Sequence, residues 1–119
     1  MKRAYAVSLE TLGCVLTAQS AYTEAVPNLR ESYMLLTDLV NRDTTNVSWK
    51  NDLAKCCLNL GIALSNLRTV DATGEALKRL DEGVTLTSAL RPVINGDADV
   101  MLESIRRAKA NVLGTKLGE

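Results

Sequence analysis

Any chemistry in this chain has to be done without histidine, because none of the 119 residues is one. That removes the commonest general base, the near-neutral pH switch and the commonest metal ligand. Neither a Ser-His-Asp nor a Cys-His mechanism is available. The remaining acid-base candidates are two close carboxylate pairs, Asp81 with Glu82 and Asp97 with Asp99. Both fall at solvated or capping positions, where acidic residues are favoured without any catalytic role. Cys14, Cys56 and Cys57 are an odd number with an adjacent pair, poor material for a secreted disulfide framework. Neighbours on a helix point about 100° apart, and no CxxC spacing completes a zinc site. The cysteines therefore read as small core or groove-lining residues, and neither a metal nor a cofactor is expected. Arg106, Arg107, Lys109 and Lys116 form a basic cluster, yet basic residues near a helix C-terminus also suit the helix dipole. There is no glycine-rich phosphate loop.

Composition points the same way. Lys and Arg total 14 and Asp and Glu total 14, a formal net charge of +0 that gives no field for nucleic acid or an anionic membrane. At 46% hydrophobic and 24% charged, the chain matches ordinary globular usage and suits one domain with its own core. Aromatics are only 3%, namely Tyr5, Tyr22, Tyr33 and Trp49, while Leu, Ala and Val dominate. That balance disfavours a β-sandwich and favours an all-α fold. No apolar run approaches the roughly 18 residues of a membrane span, and Met1-Lys2-Arg3 leads into an amphipathic stretch rather than a signal-peptide core. The expected compartment is the cytoplasm.

Five helices must position whatever surface does the work. Tyr5, Leu9, Leu12 and Leu16, with Val15, predict a helix over about 3–18. Ala25, Val26, Leu29, Tyr33, Leu36, Leu39 and Val40 predict a second over about 22–40, with Pro27 either near its start or at a kink. The polar stretch Asn41 to Ser48 is a loop ending in the cap candidates Asn46 and Ser48. Leu53, Cys57, Leu60, Leu64 and Leu67 define the third helix, from near Trp49 to about Leu67. The fourth carries Ala76, Leu77, Leu80, Val84 and Leu86, capped by Asp71 or Thr73 and ended before Arg91-Pro92. Asn95-Gly96-Asp97 reads as the next turn. Asp97 or Asp99 then caps a fifth helix through Met101, Leu102, Ile105, Ala108, Val112 and Leu113, closed by Gly114.

The chain also matches itself. Residues 1–13 slide onto 49–61 at a constant offset of 48, with Lys, Ala and Leu-Gly coincident. Beyond the turn the offset becomes 51, which implies three extra residues in the second turn, and Ala25, Val26, Leu29, Glu31 and Leu35 meet Ala76, Leu77, Leu80, Glu82 and Leu86. A weaker third copy aligns Asp99, Leu102, Leu113 and Gly114 with Asn46, Trp49, Leu60 and Gly61 at offset 53. A repeat of this length signals a solenoid, in which one hairpin cannot bury both faces alone.

These residues resemble the tetratricopeptide repeat (TPR) family. Leu9, Leu12-Gly13, Leu16, Ala25 and Leu29 follow its helix A and helix B pattern, and so do Cys57, Leu60-Gly61, Leu64, Ala76 and Leu80. Asp43-Thr44-Thr45-Asn46 with Trp49 and Asp52-Leu53-Ala54 is similar to the Asp-Pro-x-Asn, Trp, Asp-Leu-Ala signature of long bacterial TPR arrays, with Thr44 in the place of proline. Leu9 and Cys57 at the first large position, and Gly83 where helix B usually has Ala or Ser, depart from the pattern. The resemblance implies a right-handed solenoid of helical hairpins: repeat one over 1–47, repeat two over 48–96, and a terminal helix over 97–115 that is a cap or a half-repeat. Met1 falls at the position of Trp49, so the start coincides with a repeat boundary, which suits a natural small protein and a piece of a longer array alike.

The resemblance further implies a non-enzymatic protein-protein interaction module, whose concave groove of A helices accepts a peptide or partner helix. Carried over by position, the groove residues are Val7, Glu10, Cys14 and Thr17 from repeat one, and Lys55, Leu58, Asn59, Ile62, Ser65 and Asn66 from repeat two. A carboxylate clamp for acidic C-terminal peptides is not expected, since Glu10 and Cys14 stand where that clamp uses Lys and Asn, and only Asn59 fits. The alternative is a structural unit that self-associates through uncapped repeat ends.

Overall fold

Caps and turns set where this chain is helical. The computed structural model describes residues 2–94 and 96–117, with side chains at 3–90, 100, 102–110 and 112. Among the described residues there are five helices and no strand: α1 Lys2–Ala18, α2 Tyr22–Arg42, α3 Val47–Leu67, α4 Val70–Ile94 and α5 Gly96–Leu117. At the end of α1 the Ala21 N–H donates to the Leu16 carbonyl at 2.8 Å and the Ser20 N–H to that of Thr17 at 3.0 Å. Ser20 is left-handed at φ 63°, so this pair of bonds closes the helix as a glycine usually would. Arg68, the counterpart of Ser20 one repeat on, ends α3 at φ 59°. In the loop before α3, Asp43 Oδ1 accepts from the Thr45 N–H and hydroxyl, and Asn46 Oδ1 accepts from the Trp49 N–H at 3.0 Å. An Asp-turn followed by an Asn cap is the physical content of the Asp-x-x-Asn spacing.

Several expected boundaries move. The α4 cap is Thr69, whose Oγ1 accepts from the Ala72 N–H at 3.1 Å, rather than Asp71 or Thr73. Asp71 instead sits in the first turn, where its charge favours the helix dipole. The three residues expected as extra turn are absorbed as helix: the second A-to-B connection is only Arg68 and Thr69, and α4 is 25 residues against 21 for α2. Both helices that contain proline run through it. Pro27 deprives the Thr23 carbonyl of its partner and Pro92 that of Ser88, but Thr23 and Ser88 are both exposed, so water replaces the missing bond. α4 therefore continues to Ile94 instead of stopping before Arg91. Gly96 and Asp97 lie inside α5 rather than in a turn, Asp99 lies inside it rather than capping it, and Gly114 continues it to Leu117. Asn95 falls outside the described residues.

Each helix packs on the next, and α3 also touches α1 and α5, while the backbones of α2 and α4 do not approach within 8 Å among the described residues. Two apolar clusters fill the interior. One joins Ala25, Leu29, Leu60, Leu64, Ala76, Leu80 and Ile105, and the other joins Ala6, Leu36, Leu39, Leu53, Cys56 and Cys57. Among the described residues the buried positions of α5 are Ile105, Ala108 and Val112, which repeat the spacing of the buried Leu53, Cys56 and Leu60 on α3.

The hairpins close over glycine. A Cβ on Gly13 would lie 2.6 Å from Leu29 Cδ2, and one on Gly61 2.6 Å from Leu80 Cδ2, so the same leucine fills the same notch in both repeats. Gly83 does this for α5, where a Cβ would come 3.2 Å from Ile105 Cδ1. Its counterpart in α2 is Ser32, fully buried, whose hydroxyl donates to the Ala6 carbonyl at 2.7 Å. Gly74, by contrast, has nothing within 4 Å. Gly61→Ala is therefore expected to destabilise the fold by about 1–3 kcal/mol through overpacking, although alanine is the better helix former. Gly74→Ala should stabilise it by about 0.5–1 kcal/mol. Urea denaturation of the two variants checks both signs.

Candidate partner-binding groove

Three helices lie side by side to make one face. α1 presents Val7, Glu10, Cys14 and Thr17, α3 presents Lys55, Leu58, Asn59, Ile62, Ser65 and Asn66, and α5 adds Val100, Ser104 and Arg107. The face holds three open concavities in series. The first, about 210 Å³, lies between α1 and α3 over Leu36, with Val7, Glu10 and Lys55 on its walls. The second, about 570 Å³, is bounded by Glu10, Cys14, Lys55, Leu58 and Asn59, with Asn51 and the α5 residues Val100 and Ser104. The third, about 440 Å³, runs from Ile62, Ser65 and Asn66 to Arg68 and Arg107. Every expected groove residue lines one of them except Thr17, whose hydroxyl is turned onto its own helix and donates to the Gly13 carbonyl at 2.7 Å.

The floor is cross-linked by polar pairs. Asn59 Nδ2 donates to Glu10 Oε1 at 3.0 Å, and Arg3 Nε donates to Asp52 Oδ2 at 2.9 Å, both joining α1 to α3. The one residue that matches a carboxylate clamp thus has its amide engaged by Glu10. Burial raises the Glu10 carboxyl above the usual carboxylate range, against the opposing pull of the Asn59 bond and the Lys55 charge. Asn51 Oδ1 is buried and accepts no hydrogen bond, an orphan acceptor beside the second concavity. Asn51, Arg68, Val100, Ser104 and Arg107 were not expected in the groove. Arg68 is there because it ends α3, and the α5 residues because α5 lies beside α3 in the register given by Ile105, Ala108 and Val112.

The acid-base and thiol candidates have structural partners. Asp81 Oδ1 accepts from Lys109 Nζ at 2.6 Å, tying α4 to α5. Glu82 Oε1 accepts from the Tyr33 hydroxyl at 2.6 Å, and the Arg79 guanidinium lies over the Tyr33 ring at 4.5 Å, tying α4 to α2. Burial, then the Glu82 bond, pushes the Tyr33 hydroxyl up to about 12. Arg106 and Arg107 both pair with Glu103 at 3.4 Å, which spends part of the basic cluster within its own helix. The side chains of Asp97, Asp99 and Lys116 fall outside the described residues. No group of three or more Cys, Asp or Glu converges on a metal-sized site among the described residues. Nor is any described helix long and apolar enough to cross a membrane. Cys14 is exposed in the groove, whereas Cys56 and Cys57 are fully buried. Burial pushes the Cys56 thiol up to about 12 and raises Cys57 as well, and Cys56 Sγ donates to the Leu29 carbonyl at 3.4 Å.

No protein-family model matches the chain, and no curated protein and no solved structure is significantly similar to it.

The thiols give two measurements. A thiol reagent should label Cys14 alone in the folded protein and all three cysteines in denaturant. The buried thiols stay protonated in the folded state up to about 12, whereas in the unfolded chain they ionise near the ordinary 9.0. The stability they contribute is complete below pH 9 and is lost as pH rises toward 12. Urea midpoints measured from pH 8 to 10.5 should fall, and Cys56→Ala with Cys57→Ala should flatten that fall while lowering stability overall.

Proposed function

We propose that the chain is a non-enzymatic interaction module: a TPR-like, right-handed solenoid of helical hairpins, two repeats closed by α5, that binds a peptide or partner helix along α1, α3 and α5. The observation that carries this reading is the run of three concavities along one face, lined by every expected groove residue but Thr17. Support for the solenoid comes from the equivalent Gly13–Leu29 and Gly61–Leu80 notches and the equivalent left-handed turns at Ser20 and Arg68. The non-enzymatic reading draws on Asp81 and Glu82, both held in bridges between helices. Three unpaired cysteines suit a reducing, cytoplasmic setting.

The groove's chemistry describes its ligand. Leu58 and Val100 offer an apolar contact in the second concavity. Arg68 and Arg107 in the third suit a carboxylate. The ligand is thus a segment with one bulky apolar residue followed by an acidic one. Selection from a displayed library of linear peptides should enrich that pattern. Leu58→Arg should weaken the selected peptides at least tenfold, about 1.4 kcal/mol, while Met34→Arg on the opposite side should leave them unchanged. Failure to enrich any peptide, or binding indifferent to Leu58→Arg, would remove the groove from the account.

A further inference from the structure

One face of each odd-numbered helix is used in the same way, and on α1 that face is bare. On α3 it comprises Leu53, Cys56, Leu60 and Ala63, all buried beneath α2 at 3% exposure or less. On α5 it comprises Ile105, Ala108 and Val112, buried against α4. On α1 the counterparts at the repeat offset are Tyr5, Ser8, Leu12 and Val15, and Tyr5, Leu12 and Val15 are 52%, 47% and 48% exposed. We infer that this face of α1 is a docking site for an amphipathic partner helix of the α2 type, one that presents a stripe of Val and Leu such as Val26, Leu29 and Leu36.

Three observations specify that occupant. The template occurs twice in the same molecule, and each time the cover is a helix whose leucine stripe meets these positions. The backbone contact has a counterpart too. Cys56 donates to the Leu29 carbonyl of its covering helix, and Ser8, which stands at the Cys56 position on α1, is exposed and carries a hydroxyl donor. Finally, no charged residue occurs in α1 apart from Lys2, Arg3 and Glu10, and Arg3 and Glu10 are bonded to α3 in the groove. From Ala4 to Ala18 the outward side of α1 therefore carries no charge of its own, and the charge that reaches it is Glu31 of α2, which accepts from the Tyr5 hydroxyl at 3.2 Å. The other end of the molecule differs. There α5 sets Arg106 and Lys109 beside Val84 and Leu102. A charged end does not complement a neutral one, so head-to-tail stacking of copies is not the favoured way to cover α1.

This inference does not depend on the groove. Its test uses the full chain and a labelled 21-residue peptide of the α2 sequence, stapled across Met34 and Asp38 so that helix formation does not limit binding. Fluorescence anisotropy should show saturable one-site binding. Leu12→Glu or Val15→Glu, at half-exposed positions with the fold checked by circular dichroism, should weaken it at least tenfold, and Leu58→Arg should not. A scrambled staple peptide should not bind. Absence of saturable binding, or binding that Leu12→Glu leaves intact, overturns the inference. So does light scattering that finds a dimer dissolved by Leu12→Glu, because the occupant is then a second copy of the chain.

Discussion

Everything in this fold depends on how closely the two helices of a hairpin approach at one point. Gly13 and Gly61 leave a notch on α1 and α3, and Leu29 and Leu80 enter it so deeply that a single methyl would overlap them. That contact fixes both the separation and the rotation of the helices. Once Leu29 is seated, Ala25 and Ser32 are turned onto α1, and the Ser32 hydroxyl reaches the Ala6 carbonyl without a gap. Once Leu80 is seated, Gly83 lies over Cys57 and opens a space that Ile105 fills. Close packing of this kind has few alternatives of equal density, which is why a small residue at one position organises residues on three helices.

Between hairpins the fixing is polar instead. Arg3 with Asp52, Glu10 with Asn59, Arg30 with Glu75 and Tyr33 with Glu82 each join residues about one repeat apart. Exposed pairs of this type contribute little stability, roughly 0–1 kcal/mol each. Their effect is on register. The apolar contacts between helices would tolerate a slip along the axis, whereas a slip would part all four pairs together. The Tyr33–Glu82 bond, like Glu10–Asn59, is partly buried; it is flanked by the Arg79 guanidinium and couples α2 to α4, whose backbones stay apart.

Much of the architecture was legible because helices and their repeat announce themselves at short range. Periodicity located all five helices, the Leu-Gly pairs located the notches, and the Asn46 cap was visible in its spacing. The elements that differ share a cause. Pro92, Gly114 and the extra residues before Ala76 read as breaks, because locally each disfavours helix. α4 nevertheless runs on through Pro92 and α5 through Gly114, and the residues behind the two prolines, Thr23 and Ser88, are exposed, so their carbonyls need no protein partner. The missed groove residues are of a different sort. Val100, Ser104 and Arg107 enter only through the way α5 lies beside α3, which the weak match of Leu102 and Gly114 to Trp49 and Gly61 does not specify. Sequence spacing could place the residues on a helix face, but only the seating of Ile105 beside Gly83 decides which face meets α3.

The same packing logic separates the two surfaces the molecule offers. The face made by α1, α3 and α5 is a by-product of helices set side by side, and its polar floor is already cross-linked by Glu10, Asn59, Arg3 and Asp52. A ligand there would meet partly satisfied groups, so its affinity would rest on the contacts still open, chiefly Leu58, Val100 and Arg68. The outer face of α1 is unsatisfied in another way: its leucine and valine stand where the fold elsewhere always supplies a helix. On the two proposals one surface would select by pattern and the other by shape, and because they lie on different sides of the same helix, a ligand on one would leave the other accessible.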